Sequence, residues 1–403
     1  MNRLISFKSL FSILLPGLLA FIPPVLLSEP AALVQQQATQ GEAQRRTQSL
    51  DSFRNTLKER GIDTTSSMTN DVSRSVAGDS SHDDVFMRYS LDLSLTIDGA
   101  PLMGWNGGKA HAQFKQHKVL FGQTSVDVAQ GYSNIDSQSF SGLYELWGQQ
   151  TVLGDALRVK GGKIDANTEF AVLATASDFL NSSMGYSPTI MELPTYPNPQ
   201  LGILAAVTPI PTTQATLGVF RVDGGGSIGI AEIAQTWRLQ HGALPGRMSA
   251  GSWILDKAMT HFDKSPSGGT HGIYGTAEQT LGHWSLGDGP GEERRLSAFL
   301  QYGTGRRSDN PYLYHLGGGA VLDSPFRVRR SDAVGFAVSR LHFSDDPMCG
   351  YEVKAETMVE GYYRFKVTQH MSLVTDAQSF QNPDGRRSHS SYVVITPRMV
   401  MTF

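Results

Sequence analysis

The stretch ETMVEGYYRFKV, Glu356 to Val367, alternates between two kinds of side chain. All of its formal charges fall on even positions, at Glu356, Glu360, Arg364 and Lys366. Successive side chains of a β-strand point to opposite faces, so the pattern predicts a strand with one charged face and one apolar face. Such a strand needs water on one side and an apolar environment on the other.

The same period of two extends over most of the chain. In VFMRYSLDLSLTID, Val85 to Asp98, every odd position is apolar or aromatic, and YVVITPRMVMTF, Tyr392 to Phe403, repeats the alternation. Beyond Gly61 the pattern favours strands over helices. Sixteen segments can be drawn, at about 61–73, 86–97, 109–118, 139–151, 155–164, 201–209, 214–222, 228–238, 247–257, 270–281, 294–304, 311–322, 332–343, 356–367, 370–380 and 392–403.

Composition excludes several classes of protein. The 403 residues carry a formal net charge of −3, so no basic excess argues for a nucleic-acid partner. Beyond residue 30 no uninterrupted apolar run approaches the ~20 residues that a membrane-spanning helix needs. Cys349 is the only cysteine, which excludes an intrachain disulfide. The 11 histidines show no metal-binding spacing, so we expect no metal and no cofactor.

The N-terminus has the pattern of an export signal. Arg3 and Lys8 precede an apolar stretch from Leu10 to Leu27, which predicts a signal peptide over residues 1–32 with an undefined cleavage site. A retained anchor helix is the alternative, and three prolines in the apolar stretch argue against it. We expect residues 33–60 to form a polar periplasmic segment with a short helix, and residues 61–403 to form the β domain.

Two all-β architectures fit the alternation. In a soluble sandwich the apolar face would cover a core, whereas in a transmembrane barrel it would contact lipid. Segments of roughly ten residues match a tilted membrane-spanning strand better than the five or six usual in soluble sheets. The export signal and the size of a β region without a disulfide also favour the barrel. Lipid offers no hydrogen-bonding partners, so such a sheet must close.

Several segments resemble the carbohydrate-selective porin family (OprB type) of bacterial outer membranes. The segments are LDLSLTIDGAPLMGWNGG (Leu91 to Gly108), LRVKGGKIDANTEFA (Leu157 to Ala171), DFLNSSMGYSP (Asp178 to Pro188), PTYPNPQLGIL (Pro194 to Leu204) and the opening stretch continued to Gly385. The resemblance implies a sixteen-stranded antiparallel outer-membrane β-barrel. It also implies passive diffusion of carbohydrates, notably glucose and related monosaccharides.

The implied partners are small sugars, outer-membrane lipid and the outer-membrane assembly machinery, with a homotrimer left open. A general non-selective or anion-preferring porin is the first alternative function. An outer-membrane hydrolase is the second, although no Ser-His-Asp grouping supports it. A soluble secreted β protein is the third. The porin interpretation describes a channel and not an enzyme.

The longest irregular stretch, Asp165 to Pro199, follows the fifth segment, where general porins carry a loop that folds inward and narrows the lumen. An exposed extracellular loop is the alternative. The expected constriction and sugar-binding residues are Arg158, Lys160, Lys163, Asp165, Glu169, Glu360, Arg364, Lys366 and Arg398, with Glu356 and Asp376 as further carboxylates. Charged groups can replace the water around sugar hydroxyls. Aromatic rings can stack on sugar C–H faces, and the candidates are Trp105, Tyr144, Trp147, Phe170, Tyr186 and Tyr196.

Overall fold

Sixteen strands occupy most of the chain beyond residue 61. The computed structural model describes residues 52–78, 85–122, 127–285, 293–389 and 391–403. The expected signal peptide therefore lies outside the described residues, and of the segment expected at 33–60 only residues 52–60 are described, of which 52–59 are helical. The strands are β1 (Ile62–Ala77), β2 (Val85–Asp98), β3 (Gly108–Phe121), β4 (Phe140–Val152), β5 (Leu157–Ile164), β6 (Gln200–Ile210), β7 (Thr213–Arg221), β8 (Ser227–Leu239), β9 (Leu244–Thr260), β10 (Pro266–Ser285), β11 (Glu293–Gly305), β12 (Tyr312–Asp323), β13 (Ala333–Phe343), β14 (Ala355–Thr368), β15 (Met371–Gln381) and β16 (Tyr392–Thr402).

The strands form one closed antiparallel barrel. Each strand pairs with its neighbours in the chain, and β1 pairs with β16 to complete the circle. The sixteen-stranded barrel expected from the alternation is therefore confirmed. The closing pair is also joined by side chains, because Arg398 donates two hydrogen bonds, of 2.7 and 2.8 Å, to the carboxylate of Asp71.

Side-chain exposure is inverted relative to a water-soluble protein, whose charged residues face outward. Apolar residues cover the outer surface, where Leu201, Ile254 and Leu300 are 55%, 65% and 62% exposed. Charged residues lie inside, where Glu232 and Glu360 are 5% and 0% exposed. The barrel is therefore apolar outside and polar inside.

The two ends of the barrel differ in the length of their connections. We call the end where β1 begins and β16 ends the terminal rim, and the opposite end the loop rim. Terminal-rim connections are mostly short, as at residues 211–212 between β6 and β7, whereas the loop rim carries residues 122–139 and 165–199. Outer-membrane barrels have short periplasmic turns and longer extracellular loops, and this barrel shows the same asymmetry.

A short helix, Gly99–Met103, connects β2 to β3 at the terminal rim. The side chain of Asp98 accepts a hydrogen bond of 3.1 Å from the Ala100 amide, and Gly104, with a φ of 72°, ends the helix. Among the described residues, no helix combines the length and apolar character that crossing a bilayer requires.

A matched pair of substitutions tests the two faces of the barrel. Leu93 is 44% exposed on the outer surface of β2, and the next residue, Ser94, faces inward and hydrogen bonds to Thr65 at 2.6 Å. Leu93→Arg should destabilise the folded barrel in lipid vesicles by about 2–4 kcal/mol, because an arginine placed in hydrocarbon near mid-membrane costs that much. Ser94→Arg should cost much less. Urea titrations followed by the heat-modifiable gel mobility of folded barrels would measure both, and equal costs would contradict the facing assignment.

Candidate functional site

The loop of residues 165–199, called here the long loop, begins at a bulge in the barrel wall. The β3–β4 register shifts next to Phe114, so Tyr144 and Glu145, although adjacent in sequence, are both buried. The Tyr144 hydroxyl donates a hydrogen bond of 2.5 Å to the Asp165 carboxylate, and the Asp165 amide donates one of 2.9 Å to Glu145. These two bonds hold the first residue of the long loop against β4.

Carboxylates of the wall accept hydrogen bonds from the backbone of the long loop. Glu232 on β8 accepts from the Ala171 amide at 2.8 Å, and Glu278 on β10 accepts from the Thr175 amide at 2.6 Å. Glu360 on β14 accepts from the Leu180 amide at 2.5 Å. The long loop therefore contacts strands on widely separated parts of the circumference, which places it inside the barrel.

Phe179 provides an apolar anchor for the long loop. Its ring lies edge-on to Phe299 of β11 and Tyr362 of β14, at centroid distances of 5.5 and 4.9 Å. Phe179 is 1% exposed, so most of its surface is removed from water, a contribution of about 1.5–3 kcal/mol. The wall thus holds the loop through both polar and apolar contacts.

The returning half of the long loop lies against β11 and the connection that follows it. Gln301 donates a hydrogen bond of 2.6 Å to the Ser183 carbonyl, and Asn310 donates one of 2.8 Å to the Thr189 carbonyl. Gly303 permits this approach, since a Cβ there would lie 2.2 Å from the Ser187 hydroxyl oxygen. The loop is therefore fixed along its whole length.

A second inward loop packs against the long loop. Residues 122–139, called here the second loop, are described from 127 onward. Glu356 of β14 accepts hydrogen bonds from the Ala129 and Gln130 amides, both at 2.9 Å. The backbone amide of Asn134 donates to the Leu180 carbonyl at 2.7 Å, and its side-chain amide donates to the Phe179 carbonyl at 3.2 Å. In the sequence, only the length of this segment sets it apart from the other connections.

Arg158, Lys160 and Glu169 form one ionic group where β5 meets the long loop. The Glu169 carboxylate accepts hydrogen bonds of 3.1 and 2.7 Å from Arg158 and one of 2.9 Å from Lys160. The Lys160 ammonium lies 3.9 Å from the ring centroid of Trp147, in cation–π contact. Three predicted charged residues and one predicted aromatic residue are thus in contact with one another.

The charge state of Glu169 follows from these contacts. Burial opposes its ionisation, but the hydrogen bond from Arg158 and the charges of Lys160 and Arg158 outweigh burial. The pKa of the Glu169 carboxyl is therefore lowered from its ordinary value, and the carboxylate is ionised at neutral pH.

The other predicted cations lie apart from this group. Arg364 donates a hydrogen bond of 2.5 Å to Asp178 of the long loop, and Arg398 binds Asp71 and the Asn134 side chain of the second loop, the latter at 2.9 Å. Lys366 is exposed near the terminal-rim end of β14. β14 and β16 lie on either side of β15, but Arg364 and Arg398 bind different partners and Lys366 is exposed.

The side chain of Lys163 lies on the outer surface. Lys163 pairs directly with Leu146 on β4 and Leu201 on β6, which are 52% and 55% exposed. Directly opposite residues share a face of the sheet, and alternation continues unbroken from Lys160 through both glycines. The Lys163 ammonium donates a hydrogen bond of 2.8 Å to the Leu143 carbonyl, away from the predicted group.

Two of the predicted carboxylates lie on neighbouring strands of the barrel wall. Glu360 and Asp376 lie on adjacent strands, are both 0% exposed, and flank Gln378. The Glu360 carboxylate accepts a hydrogen bond from the Leu180 amide of the long loop, and Gln378 donates a hydrogen bond of 2.8 Å to Asp376. Both carboxylates therefore form hydrogen bonds within the barrel interior.

The predicted aromatic residues have different environments. Phe170 is fully buried and lies edge-on to Phe220, and the Tyr144 hydroxyl donates its hydrogen bond to Asp165. Trp105 lies at the terminal rim, where its indole donates to Gln150 at 2.6 Å. Two further candidates lie in the long loop: Tyr196 donates to the Ile135 carbonyl of the second loop at 2.6 Å, and Tyr186 packs against the apolar cluster that contains Phe170.

A cavity of about 710 Å³ lies beside Ala174 and Thr175 of the long loop, towards the terminal rim. Its lining combines hydroxyl, charged and aromatic side chains, among them Thr175, Trp237, Arg247, Glu278 and Thr280. Arg247 donates to Glu232 at 2.9 Å and to the Val172 carbonyl at 3.1 Å, so its position is fixed from both sides. The cavity can hold a small polar molecule.

The lowered pKa of Glu169 predicts a pH-dependent stabilisation. A carboxyl with a depressed folded-state pKa stabilises the fold above its unfolded pKa, near 4.5, and that contribution is lost as pH falls through the folded value. Glu169→Gln should therefore lower the thermal unfolding temperature at neutral pH, with a difference from wild type that is constant down to about pH 5. Below that pH the difference should shrink. Melting curves across the acid range would measure it, and a difference that grows on acidification would contradict the assignment.

Removal of Glu356 should release the second loop. Glu356→Ala leaves the Ala129, Gln130 and Asp384 amides without their acceptor, at a cost of about 1–3 kcal/mol for each donor that stays buried. Proteases should then cleave residues 127–139 of the folded barrel faster. Glu352→Ala is the control, because Glu352 is exposed and its carboxylate accepts a hydrogen bond of 2.7 Å from the Arg387 amide, which belongs to a different connection. Equal cleavage rates in both variants would show that Glu356 does not hold the loop.

The sequence matches a known protein family, and the barrel is similar to solved structures. Residues 87–403 match the model of a family described as "Carbohydrate-selective porin, OprB family". No protein of curated function matches the sequence. Among solved structures, the chain is similar to OprB of Pseudomonas putida at high pH, with a TM-score of 0.78, 18% identity, and coverage of 88% of this chain and 97% of that chain. It is also similar to the outer membrane channel DcaP of Acinetobacter baumannii, with a TM-score of 0.50, 11% identity, and coverage of 85% and 97%. At these identities the structures show a shared fold.

Proposed function

The chain belongs to the carbohydrate-selective porin family, OprB type, and from that premise we propose that it is a bacterial outer-membrane channel for passive diffusion of monosaccharides such as glucose. As a porin it is a channel protein and not an enzyme. In the proposed arrangement the outer surface contacts lipid, and the long and second loops together narrow a water-filled lumen. Sugars cross down their gradient without energy input.

The observation that carries the proposal is the ionic group of Arg158, Lys160 and Glu169. Arg158 keeps 22% of its side chain exposed, so a solute can reach part of it. Fixed donors from arginine and lysine and a fixed acceptor from glutamate match sugar hydroxyls, which both donate and accept hydrogen bonds. Trp147, beside Lys160, adds an aromatic surface for sugar C–H groups.

The same arrangement favours weak binding. The carboxylate of Glu169 already has its hydrogen bonds satisfied by Arg158 and Lys160, so a sugar must share these partners. A channel must release what it admits, and such competition keeps the dwell time short. The cavity beside Arg247 and Glu278 would then receive the sugar on the terminal-rim side of the loops.

A general anion-preferring porin is the rival function. Two cations face a single carboxylate in the ionic group, and that excess of positive charge would attract anions of any kind. The rival predicts conductance that responds to salt and is indifferent to glucose.

Planar bilayer recordings of the purified protein separate the two functions. The proposal predicts that glucose reduces the ion current in a saturable way, and that glucose enters liposomes faster than sugars of larger size. A current that is unchanged at saturating glucose, together with swelling rates that depend on solute size alone, would leave the general porin as the function.

Two substitutions in the ionic group should alter transport without preventing assembly. Arg158→Ala and Lys160→Ala should each weaken glucose block by about tenfold or more, since a hydrogen bond to a charged group contributes about 1.5–3 kcal/mol and each 1.4 kcal/mol is about a factor of ten. Both should also shift the reversal potential toward cation preference. Lys163→Ala is the matched control, because the same charge is lost from the outer surface of the same strand. If Lys163→Ala changes block as much as Arg158→Ala does, the proposed binding group is incorrect.

A further inference from the structure

Two carboxyl groups, those of Glu360 on β14 and Asp376 on β15, contact each other inside the barrel. Glu360 lies opposite Gln378 of β15 and Ala337 of β13, and Asp376 is the next inward-facing residue of β15. Both carboxyl side chains are 0% exposed, and they hydrogen bond to each other. We call Glu360 and Asp376 the carboxyl pair.

The contact within the carboxyl pair needs a proton. A hydrogen bond between two carboxyl groups requires a proton on one of them, because ionised carboxylates only accept. Oδ1 of Asp376 accepts from Gln378 at 2.8 Å, whereas Oδ2 is buried and meets no donor in the described part of the chain. Two ionised carboxylates in contact and away from water would repel each other. The arrangement is that of two groups that share one proton.

The carboxyl pair holds the middle of the long loop. Glu360 accepts hydrogen bonds of 2.5 and 3.3 Å from the Leu180 and Asn181 amides. Leu180 and Asn181 are 0% and 1% exposed, so water has little access to replace Glu360 as the acceptor. Docking of this part of the long loop therefore depends on the state of the pair.

The same pair is connected to the second loop through Gln378. The side-chain amide of Gln378, which donates to Asp376, also donates to the Tyr132 carbonyl at 2.8 Å. The Asn181 side chain donates to Gln378 at 3.0 Å and to the Gln130 carbonyl at 3.1 Å. One hydrogen-bond network thus joins the carboxyl pair to both inward loops.

Arg398 of β16 is the cation that acts on the carboxyl pair. Its guanidinium donates hydrogen bonds of 2.7 and 2.8 Å to Asp71 of β1 and one of 2.9 Å to the Asn134 side chain. Arg88 of β2 lies 3.8 Å from the same Asp71 carboxylate. Arg398 favours negative charge on the pair, but its hydrogen bonds to Asp71 and the second loop keep it from binding a second ionised carboxylate there.

The other titratable groups around the carboxyl pair lie on β14 and the two loops. Glu356 accepts from amides of the second loop, and Arg364 donates a hydrogen bond of 2.5 Å to Asp178 of the long loop. Tyr132 and Tyr362 are phenols, which stay neutral in the acid and neutral range. None of these groups replaces the shared proton as the partner of the pair.

We propose that the carboxyl pair is a proton-dependent latch for the two inward loops. While the loops are docked, the pair holds one shared proton at neutral pH. When the loops undock, water reaches both carboxyl groups, and solvated carboxyl groups are ionised above about pH 5. Docking therefore takes up one proton from the solvent, so mild acid tightens the docked loops. A narrower passage at low pH would follow if the loops narrow the lumen, and that consequence alone rests on the proposed function.

Infrared spectra of the purified barrel at neutral pH test for the shared proton. Wild type should show the carbonyl band of a protonated carboxyl group, and Asp376→Asn should lose this band because its amide donates to Glu360 without a carboxyl proton. Glu352→Gln is the control, since it removes an exposed carboxylate and should leave the band unchanged. A difference between wild type and Asp376→Asn that contains only bands of ionised carboxylate would overturn the proposal.

Amide hydrogen exchange measured from about pH 5 to neutral pH tests the latch. Protection of the Leu180 and Asn181 amides, relative to an unstructured peptide at the same pH, should fall in wild type by about tenfold for each unit of pH, because the docked state holds one more proton. In Asp376→Asn, and in Glu360→Gln, which keeps an acceptor oxygen for these amides, protection should be constant over this range.

The wild-type slope is measured without any variant, so the test survives a variant that fails to fold. Protection that is independent of pH in wild type would contradict the latch. A slope of equal size in all three proteins would also contradict it, because the linked proton would then belong to another group. Neither measurement involves transport, so a negative result would leave the proposed function unaffected.

Discussion

The interior of this barrel depends on hydrogen bonds between wall carboxylates and the backbone amides of two loops. A loop inside a barrel loses most of its water, and each amide left without an acceptor would cost about 1–3 kcal/mol. Glu232, Glu278 and Glu360 supply acceptors for the long loop, and Glu356 supplies them for the second loop. One carboxylate can serve two or three amides, as Glu356 does, so few side chains are needed to fix long segments.

This use of carboxylates changes the electrostatics of the lumen. Charges that alternate along a strand suggest a pore lined by both signs, but most of the buried glutamates are occupied by loop amides. The ionic groups that include cations lie at distinct places, with Arg158 and Lys160 at the start of the long loop and Arg364 at Asp178. A solute therefore meets a few local groups instead of a uniformly charged wall.

The strands and their facing could be predicted from sequence because both follow from a period of two. The charged side chains of β14 fall on its even positions, which predicted the inward position of Glu360. The number of strands followed from the repeat of the alternation along the chain. The resemblance to a porin family, carried by segments such as Leu157 to Ala171, is confirmed by the family match over residues 87–403. These features are local, and local patterns are visible in one sequence.

The distribution of roles among the charged residues could not be predicted in the same way. Whether a residue is at an even or odd position of a strand predicts which face its side chain occupies, but it does not predict which loop lies against that face. Glu360 therefore could not be distinguished from a lumen-lining residue. Alternation along β5 does place Lys163 on the face opposite Lys160. The prediction grouped the two lysines because they are close in the sequence, and it overlooked this alternation. The inward path of residues 127–139 depends on contacts with β14 and β16, more than 200 positions away in the chain. Such contacts leave no periodic signal.

Hydrogen–deuterium exchange of the loop amides tests the central claim most directly. If wall carboxylates hold the long loop inside the barrel, the amides of Ala171, Thr175 and Leu180 should exchange as slowly as amides paired within the strands. Exchange of these amides at the rate of an unstructured peptide would contradict the account, because it would place the loop in water and away from the wall.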